Sequence, residues 1–224
     1  MMNALDAIAG RASVRAFTAK KVAPELTEKI LRIATAAPTG GNMQPWQVAV
    51  VRGEAKRRLS AAYIDAAEKM QPPQPDIPYY PEPMPAKYNL RRHIMSTRIY
   101  RARGIKFDRD GIDWPAVIDL LKQNYYFFGA DTGLLFFIER DLAAGSLLDI
   151  GMFMQNIMLA AGAHGLATCS QASWGNYPHL ARAALDIEDD WRLICGMSLG
   201  YPDPGEKTVP RLREQPSQFV RWYA

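Results

Sequence analysis

The longest apolar stretch of the sequence, residues 146–164, most constrains how this chain can fold. Most of its positions are leucine, isoleucine, methionine, phenylalanine or alanine, and they fall on every side of the predicted helix. Ser146 can cap the start of this helix, Asp149 suits its first turn, and Gly165 suits the position just past its end. Because the helix is apolar on every side, we expect it at the centre of a domain or in a subunit interface.

Further helical and strand-like segments alternate along the chain. Amphipathic spacing and prolines at helix starts predict helices at about 24–37 and 54–70, with others beginning at Trp114 and Pro178. β-rich and apolar runs predict strands at 47–52, 132–139, 166–169 and 191–199. No internal repeat or second core is visible, so we expect a single α+β domain over residues 1–224.

Two unusual segments interrupt this pattern. Seven prolines fall between Pro72 and Pro85, and proline excludes a helix or a central strand because it lacks an amide hydrogen and fixes φ. Residues 87–103 are strongly basic, with aromatic and aliphatic side chains between the charges. A nucleic-acid surface is one interpretation of this run, but a solvated helix face is favoured because the charges do not form one stripe. We expect a functional insertion at about 71–104 and a C-terminal arm at about 207–224.

The composition is that of an ordinary globular protein. Apolar residues make up 48% and charged residues 22% of the 224 positions, and the net charge of +4 permits an anionic ligand without requiring nucleic acid. Cys169 and Cys195 lie in apolar runs and are expected to be buried free thiols. Since no signal-peptide pattern or uncharged apolar span of about 18 residues is present, we expect a cytoplasmic protein without a membrane partner.

A polar turn of unusual composition, A-A-P-T-G-G-N-M-Q-P-W at residues 36–46, separates a predicted helix from a predicted strand. Pro38 and the following glycine pair end the helix and allow unusual backbone angles. In an extended chain Asn42 and Gln44 would point to the same side, where two carboxamides can bind a flat heterocycle that alternates carbonyl and N–H groups. An ordinary polar turn is the alternative interpretation.

A second candidate binding segment is basic. If residues 11–17 are extended, Arg11, Ser13 and Arg15 share one face, and two guanidinium groups with a hydroxyl suit a phosphate. A solvated basic strand is the alternative. A polar loop after Cys169 and the pair Arg211 and Arg213 complete the set of candidate binding segments.

Sequence motifs of hydrolases, of classical nucleotide-binding proteins and of zinc sites are not supported. Residues 196–200, G-M-S-L-G, match the nucleophile elbow of α/β-hydrolases, which requires a helix after the serine and a histidine later in the chain. Here a Tyr-Pro-Asp-Pro turn follows, and all three histidines precede the serine. Neither classical nucleotide-binding loop is present, and the histidines and cysteines are too scattered for a zinc site. We therefore expect no metal.

The order A-P-T-G-G-N-x-Q-P-W is rarer than its parts. Together with R-x-S-x-R-x-F at residues 11–17, it resembles the signatures of the FMN-dependent nitroreductase family. The similarity continues at residues 149–173 and at the C-terminus, and residues 125–129, 141–155 and 168–174 resemble the nitrobenzoate-reductase-like branch. The resemblance implies a nitroreductase-like α+β fold with a central mixed β-sheet wrapped by helices, in a domain-swapped homodimer.

The resemblance also implies where FMN binds. The arginines of residues 11–15 and 211–213 would hold the phosphate and the N1–O2 edge of the flavin, and the loop at 38–44 would lie against the ring from the partner subunit. Residues 170–173 would line the far edge of the ring, and relatives often have proline at the position of Ser170. The predicted cofactor-binding residues are Arg11, Ala12, Ser13, Arg15, Pro38, Thr39, Gly40, Asn42, Gln44, Gln123, Ser170, Gln171, Ala172, Ser173, Arg211 and Arg213.

The activity implied by the resemblance is FMN-dependent NAD(P)H oxidoreduction by a ping-pong mechanism, with a nitroaromatic (nitrobenzoate-like) or quinone acceptor. The flavin carries the redox chemistry, and an arginine near N1–O2 would stabilise its anionic reduced form. No residue is predicted to act as a catalytic acid or base. The alternatives are another flavin reaction on the same scaffold (dehalogenation, enone reduction or flavin destruction), or a non-catalytic flavin- or nucleic-acid-binding protein.

The segment at 71–104 is predicted to govern substrate choice. It carries Tyr79, Tyr80 and Met84, which have little reason to stay in water, and then the densest positive charge of the chain. We expect it to cover the flavin face, stack on a flat substrate and attract an anionic group with an arginine. A solvated flap without substrate contact is the alternative.

Overall fold

The computed structural model describes residues 3–206 and 208–223. Its helices are α1 (Ala4–Gly10), α2 (Pro24–Ala34), α3 (Gly53–Glu68), α4 (Ala86–Ala102), α5 (Trp114–Lys122), α6 (Gly145–Ala163) and α7 (Pro178–Leu185). Its strands are β1 (Gln47–Val51), β2 (Phe107–Asp108), β3 (Gly111–Ile112), β4 (Thr132–Glu139), β5 (Ala167–Gln171) and β6 (Trp191–Gly200). The helices and strands predicted from the sequence are all present, whereas α1 and the short β2–β3 hairpin were not predicted.

The main sheet has four strands in the order β1-β4-β6-β5, and each neighbouring pair is antiparallel. The predicted mixed sheet is therefore wrong for the named strands of the described residues. Parallel pairing occurs next to this sheet as an isolated β-bridge between Ser13 and Thr168, at the outer edge of β5. The sequence could not distinguish these arrangements, because strand direction depends on how the connections run and not on residue pattern.

Both faces of the sheet are covered by helices, as predicted. Along β4 successive side chains alternate between the faces: Leu134 and Phe136 belong to a core with α2 and α6, whereas Leu135 and Phe137 belong to a core with α3 and α7. β4 is buried over all of its length except Glu139. A strand enclosed on both faces has no polar alternation, which explains its continuous apolar sequence.

Helix α6 is the main support of the first core. Ile150 and Ile157 are buried, but Leu148 is 72% and Met152 37% exposed. The predicted cap at Ser146 is wrong, because the helix begins at Gly145 and Ser146 is buried inside its first turn. By length and composition alone α6 could also cross a membrane, but one of its sides packs against the sheet.

The proline-rich segment is attached to the body of the protein at its start. The Tyr177 hydroxyl donates to the Gln71 carbonyl (3.0 Å), and the Gln74 amide donates to the Asn176 carbonyl (2.8 Å). The Asp76 carboxylate, 8% exposed, accepts from Arg182 Nη1 at 2.7 Å and from the Leu193 amide at 2.9 Å. No helix or strand forms until α4 begins at Ala86, as the prolines predict.

Candidate functional site

The basic segment at 11–17 is extended, as predicted, and lies against strand β5. The Val14 amide donates to the Thr168 carbonyl at 3.1 Å, and Val14 itself is buried. This hydrogen bond fixes which side chains of the extended segment face inward. Val14 is buried, and its neighbours in the chain, Ser13 and Arg15, are only half-buried. The segment is thereby held beside residues 168–170, which belong to another predicted part of the site.

A carboxylate that the sequence analysis missed holds the same segment. Glu206 accepts from the backbone amides of Arg15 (2.6 Å) and Ala16 (3.0 Å) and from Arg103 Nη2 (3.1 Å), and its side chain is only 8% exposed. Two consecutive amides that converge on one carboxylate make a strong contact for an anion. Glu206 therefore joins the basic segment to the C-terminal end of α4. Its sequence neighbours, in a Pro-Gly turn, gave no signal of this role.

Four arginines gather around this segment. Burial lowers the pKa of Arg11, and the positive charges of Arg211 and Arg213 lower it further. The Arg211 side chain donates to the Ala9 carbonyl, and Arg15 Nη1 donates to the Ser13 carbonyl at 3.2 Å. Within residues 3–206 and 208–223, none of these four guanidinium groups forms an ion pair with a carboxylate. The cluster is an uncompensated positive site that suits an anion such as a phosphate.

Strand β5 and the turn after it present residues 170–173 in different ways. Ser170 is exposed, with its Oγ 4.0 Å from Met158 Sδ. The Gln171 side chain turns inward, where it donates to the Asn124 carbonyl (2.6 Å) and accepts from Ser198 Oγ (2.7 Å). Gln171 therefore offers a ligand its backbone and not its carboxamide. Ser173 Oγ is buried without a hydrogen-bond partner among the described residues, and is left available for a ligand.

A cavity of about 560 Å³ opens beside Ser170 and Ala172. Residues 77–80 close one side of it, and α6 and β6 form the others. The remaining lining residues are Leu147, Ile150, Gly151, Met154, Met158, Ile194 and Cys195. Met154 and Met158 thus face a space large enough for a flat aromatic ligand. Flexible thioethers adapt well to such ligands.

The loop at 38–44 is not extended, so the predicted reason for Asn42 and Gln44 to point the same way is wrong. Gly40–Asn42 form a 3₁₀ turn, and Gly41, Asn42 and Gln44 all have positive φ, of 58°, 59° and 49°. Asn tolerates this left-handed region better than most residues. Thr39 Oγ1 accepts from the Gln44 amide at 2.9 Å, and both carboxamide side chains stay exposed.

This loop and the cavity lie on different sides of α6. Asp149 Oδ2 accepts from the Gly40 amide at 3.1 Å, and Trp46 stacks on Phe153 with ring centroids 4.6 Å apart. At about 100° per residue, Asp149 and Phe153 are roughly opposite the cavity-lining Gly151 and Met158. The exposed Leu148 and Met152 lie between the two sides. Within one chain the loop and the cavity are therefore not brought together.

Gln123 begins a 3₁₀ segment, Gln123–Gly129, and is exposed. In the same segment Phe127 and Phe128 have positive φ, of 52° and 53°, although both are buried. Large side chains rarely adopt this conformation, and packing holds it here: Phe127 stacks on Trp174 with centroids 4.3 Å apart. The Arg15 guanidinium lies 6.0 Å from the Phe128 ring centroid, so the segment also supports the arginine cluster.

The arrangement suits a ligand that combines an anion with a flat ring. The arginine cluster supplies positive charge, and the neighbouring strand leads from it to the apolar cavity. Ser173 Oγ and the backbone of residues 170–173 are the polar groups on that path. Across the described ranges, no three histidine, cysteine, aspartate or glutamate residues come together as a metal site would require.

Comparison with known proteins identifies the family. Residues 8–201 match the family described as the Nitroreductase family, which is most of the chain. The chain belongs to the nitroreductase family.

Curated nitroreductases are similar over nearly the whole length. The 4-nitrobenzoate reductase of Pseudomonas putida is 35% identical over 206 residues, which cover 92% of this chain and 88% of that protein. The nitrobenzene nitroreductase of Ectopseudomonas oleovorans is 36% identical over 205 residues, with coverage of 88% and 86%. The resemblance to the family and to its nitrobenzoate-reductase-like members is confirmed.

Solved nitroreductase structures share the fold. The FMN and NADPH-dependent nitroreductase NfnB from sphigopyxis sp. strain HMH has a TM-score of 0.93 and 33% identity, with full coverage of both chains. The FMN-dependent NfnB from Mycobacterium smegmatis, in complex with NADPH, has a TM-score of 0.87 and 31% identity, with coverage of 99% and 98%. The predicted α+β nitroreductase-like fold is confirmed.

Proposed function

We propose that this nitroreductase uses FMN and NAD(P)H to reduce nitroaromatic compounds. The observation that carries the proposal is the uncompensated arginine cluster (Arg11, Arg15, Arg211 and Arg213) beside an apolar cavity. The relatives support it, since their names specify FMN, NADPH, nitrobenzoate and nitrobenzene.

The described residues fit FMN. The arginine cluster would bind its phosphate, because paired charged hydrogen bonds to arginine are strong and geometrically specific. The ring would extend along residues 170–173, past Ser170 and Ala172 into the cavity that they line; Ser173 Oγ, next to them in the chain, lacks a partner among the described residues. A bound flavin accepts electrons from a nicotinamide and passes them to an acceptor. The protein's part is to hold the ring, to keep water from it with the apolar wall, and to place positive charge near it.

A homodimer would complete the site. Pro38, Thr39, Gly40, Asn42 and Gln44 lie on the side of α6 away from their own cavity, with the exposed Leu148 and Met152 between. Packing these apolar residues against a second copy would bury them and bring its 38–44 loop towards this cavity. The exposed aromatic residues of the arm, Phe219, Trp222 and Tyr223, would be covered in the same association. The remaining members of the proposed site are Ala12, Ser13 and Gln123.

We also propose a domain organisation and a cellular location. Residues 1–224 form one nitroreductase domain, with an insertion at about 71–104 and a C-terminal arm at about 207–224. The enzyme acts in the cytoplasm, where NAD(P)H is available, and needs neither nucleic acid nor a membrane. Arg91 and Arg103 of the basic run are engaged by Glu214 and Glu206, which leaves less free charge for a polyanion.

The absorbance spectrum of the purified protein tests the proposed cofactor and reaction. A flavin spectrum that NADPH bleaches without oxygen, and that 4-nitrobenzoate or nitrobenzene restores, is the expected result. Absence of bound flavin after reconstitution with FMN would overturn the cofactor assignment. Bleaching by NADPH that no nitroarene reverses would instead indicate another flavin reaction on this scaffold.

Sedimentation tests the homodimer. The expected species is a flavin-loaded dimer, and replacing the exposed Leu148 by Arg should shift it towards monomer and weaken flavin binding. Leu121→Arg, at an exposed apolar residue on α5, adds the same charge away from α6; it is the matched control and should leave the dimer intact. A stable flavin-loaded monomer would contradict the proposal.

A further inference from the structure

The cavity has no charge of its own. Among the described residues that line it there is no acidic or basic side chain; they are aliphatic, tyrosine, methionine, serine, proline and cysteine. Burial raises the pKa of Cys195 to about 12, so its thiol stays neutral at neutral pH. An ionised group inside this space would lose its hydration without a partner. The cavity body therefore suits an uncharged aromatic ring.

A guanidinium group contacts one wall residue of this neutral cavity, Tyr80, without lining the cavity itself. Arg92, from α4, has its Cζ 5.3 Å from the centroid of the Tyr80 ring, within the range of a cation–π contact. Tyr80 meets Tyr79 edge to face, with centroids 4.9 Å apart. Both tyrosines line the cavity and are more than half exposed, so this wall is also where the cavity opens to solvent. Arg92, which with Asn89 lines an adjoining cavity of about 600 Å³, thus lies next to this entrance through its contact with Tyr80.

Among the described residues, no carboxylate is paired with Arg92. Its Nη2 donates to Asn89 Oδ1 at 3.1 Å, a neutral acceptor. The neighbouring Arg91 pairs with Glu214 at 2.7 Å, and Arg103 pairs with Glu206 at 3.1 Å. Asn89 and Tyr80 orient the guanidinium but leave its charge uncompensated.

We propose that Arg92 is the specificity-determining residue for an anionic substituent, such as a carboxylate, on the aromatic substrate. The ring enters the neutral cavity, and the anion stays at the entrance, where it keeps part of its hydration and receives a charged hydrogen bond from the guanidinium. Tyr80 holds the planar guanidinium at the entrance. The inference rests on the proposed nitroarene reduction and adds to it the charge class of the substrate and the residue that selects it.

Selectivity between a charged and a neutral nitroarene tests the assignment. The ratio of kcat/KM for 4-nitrobenzoate to that for nitrobenzene should fall about tenfold in Arg92→Gln, the lower end for one charged hydrogen bond. Arg92→Lys should keep part of the ratio. Arg91→Gln, one residue away and with the same change of charge, is the control and should keep the native ratio. Added salt should lower the ratio in the native enzyme and have less effect in Arg92→Gln.

Binding without turnover gives an independent readout. Calorimetry of the FMN-loaded protein with benzoate and with benzamide compares the same ring with and without charge. Arg92→Gln should weaken benzoate about tenfold relative to benzamide. If the ratio of the benzoate and benzamide dissociation constants did not change in Arg92→Gln, or changed equally in Arg91→Gln, the assignment to Arg92 would be wrong. The preference for an anion would then come from the overall positive charge of this surface. Nitrobenzene turnover by the native enzyme separates this outcome from failure of the proposed reaction, which would abolish that turnover.

Discussion

Two regions that meet at the turn of residues 172–176 are held in place in different ways. Tyr63, Tyr125, Phe127 and Trp174 are buried and pack ring against ring, with centroids 4.3–5.5 Å apart. Residues 71–104 are all described, and apart from the Asp76 side chain they are half-buried or exposed. They are held near their ends, by Asp76 and by Arg103. The four rings form the aromatic core, which cannot shift without loss of packing. The 71–104 segment can shift with little loss of packing.

The contrast suggests that the two regions have different roles, one towards the flavin and one towards the substrate. The aromatic core fixes the turn that carries Ala172 and Ser173, beside the proposed flavin site. The 71–104 segment supplies Tyr79 and Tyr80 to the cavity, and Arg92 contacts the Tyr80 ring. A rigid scaffold that bears a variable loop is a common way to keep a cofactor while substrates change. We therefore expect changes in the core to affect folding and flavin together, and changes in the segment to affect substrate choice.

The largest effect is expected from Gly133→Ala, in the aromatic core. A Cβ there would lie 2.4 Å from Phe127 Cζ, and Phe127 cannot retreat because it stacks on Trp174. Overpacking should lower the free energy of unfolding by about 3 kcal/mol, measured by urea denaturation. Gly145→Ala is the control, since nothing lies within 4 Å of its Cβ. Equal stability of the two variants would show that the core is not rigid.

Arg11→Ala should come next in size. Loss of one charged phosphate contact should weaken FMN binding by about 1.5–3 kcal/mol, measured by recovery of flavin fluorescence on dissociation. Arg32→Ala, on the exposed side of α2, is the control and should bind FMN like the native protein. An unchanged dissociation constant for Arg11→Ala would remove the arginine cluster from the cofactor site.

Asp76→Asn tests whether the 71–104 segment is held near its ends. Loss of the charge that accepts from Arg182 and Leu193 should cost about 2 kcal/mol locally. We expect faster proteolysis within residues 77–85 and a higher KM for nitroarenes, with FMN affinity unchanged. Asp65→Asn breaks an exposed pair with Lys69 and is the control. If Asp76→Asn lost FMN as readily as Arg11→Ala, the two regions would not be separable.

The sequence predicted what depends on local periodicity. The apolar run of β4 and the amphipathic pattern of α2 gave both elements nearly at their observed bounds. The resemblance supplied the site segments, of which Arg11, Ser13 and Arg15 do lie beside Thr168 and Cys169.

What the sequence did not predict depends on contacts between distant residues. Asn42 and Gln44 adopt positive φ in a loop that Asp149 holds through Gly40, so the extended geometry did not apply. Glu206 binds amides 190 residues away in the chain, and no local pattern reports such a contact. Similarly, Met154 faces both the core and the cavity, and apolar periodicity does not distinguish a packed surface from a cavity wall.

The smallest effect concerns Cys195, which lies in the cavity wall between the two regions. Burial raises the pKa of its thiol to about 12, whereas an unfolded thiol deprotonates near 8.5. The unfolded chain therefore loses its proton first as pH rises, so stability is retained below about pH 8.5 and falls up to about pH 12. By pH 9.5 the native protein should lose about 1 kcal/mol more than Cys195→Ala does, each relative to its own value at pH 8. Urea denaturation at both pH values gives this difference, and the tyrosines cancel because both proteins contain them. Parallel losses in the two proteins would mean that solvent reaches the thiol from the cavity, and that the 71–104 segment leaves this wall open.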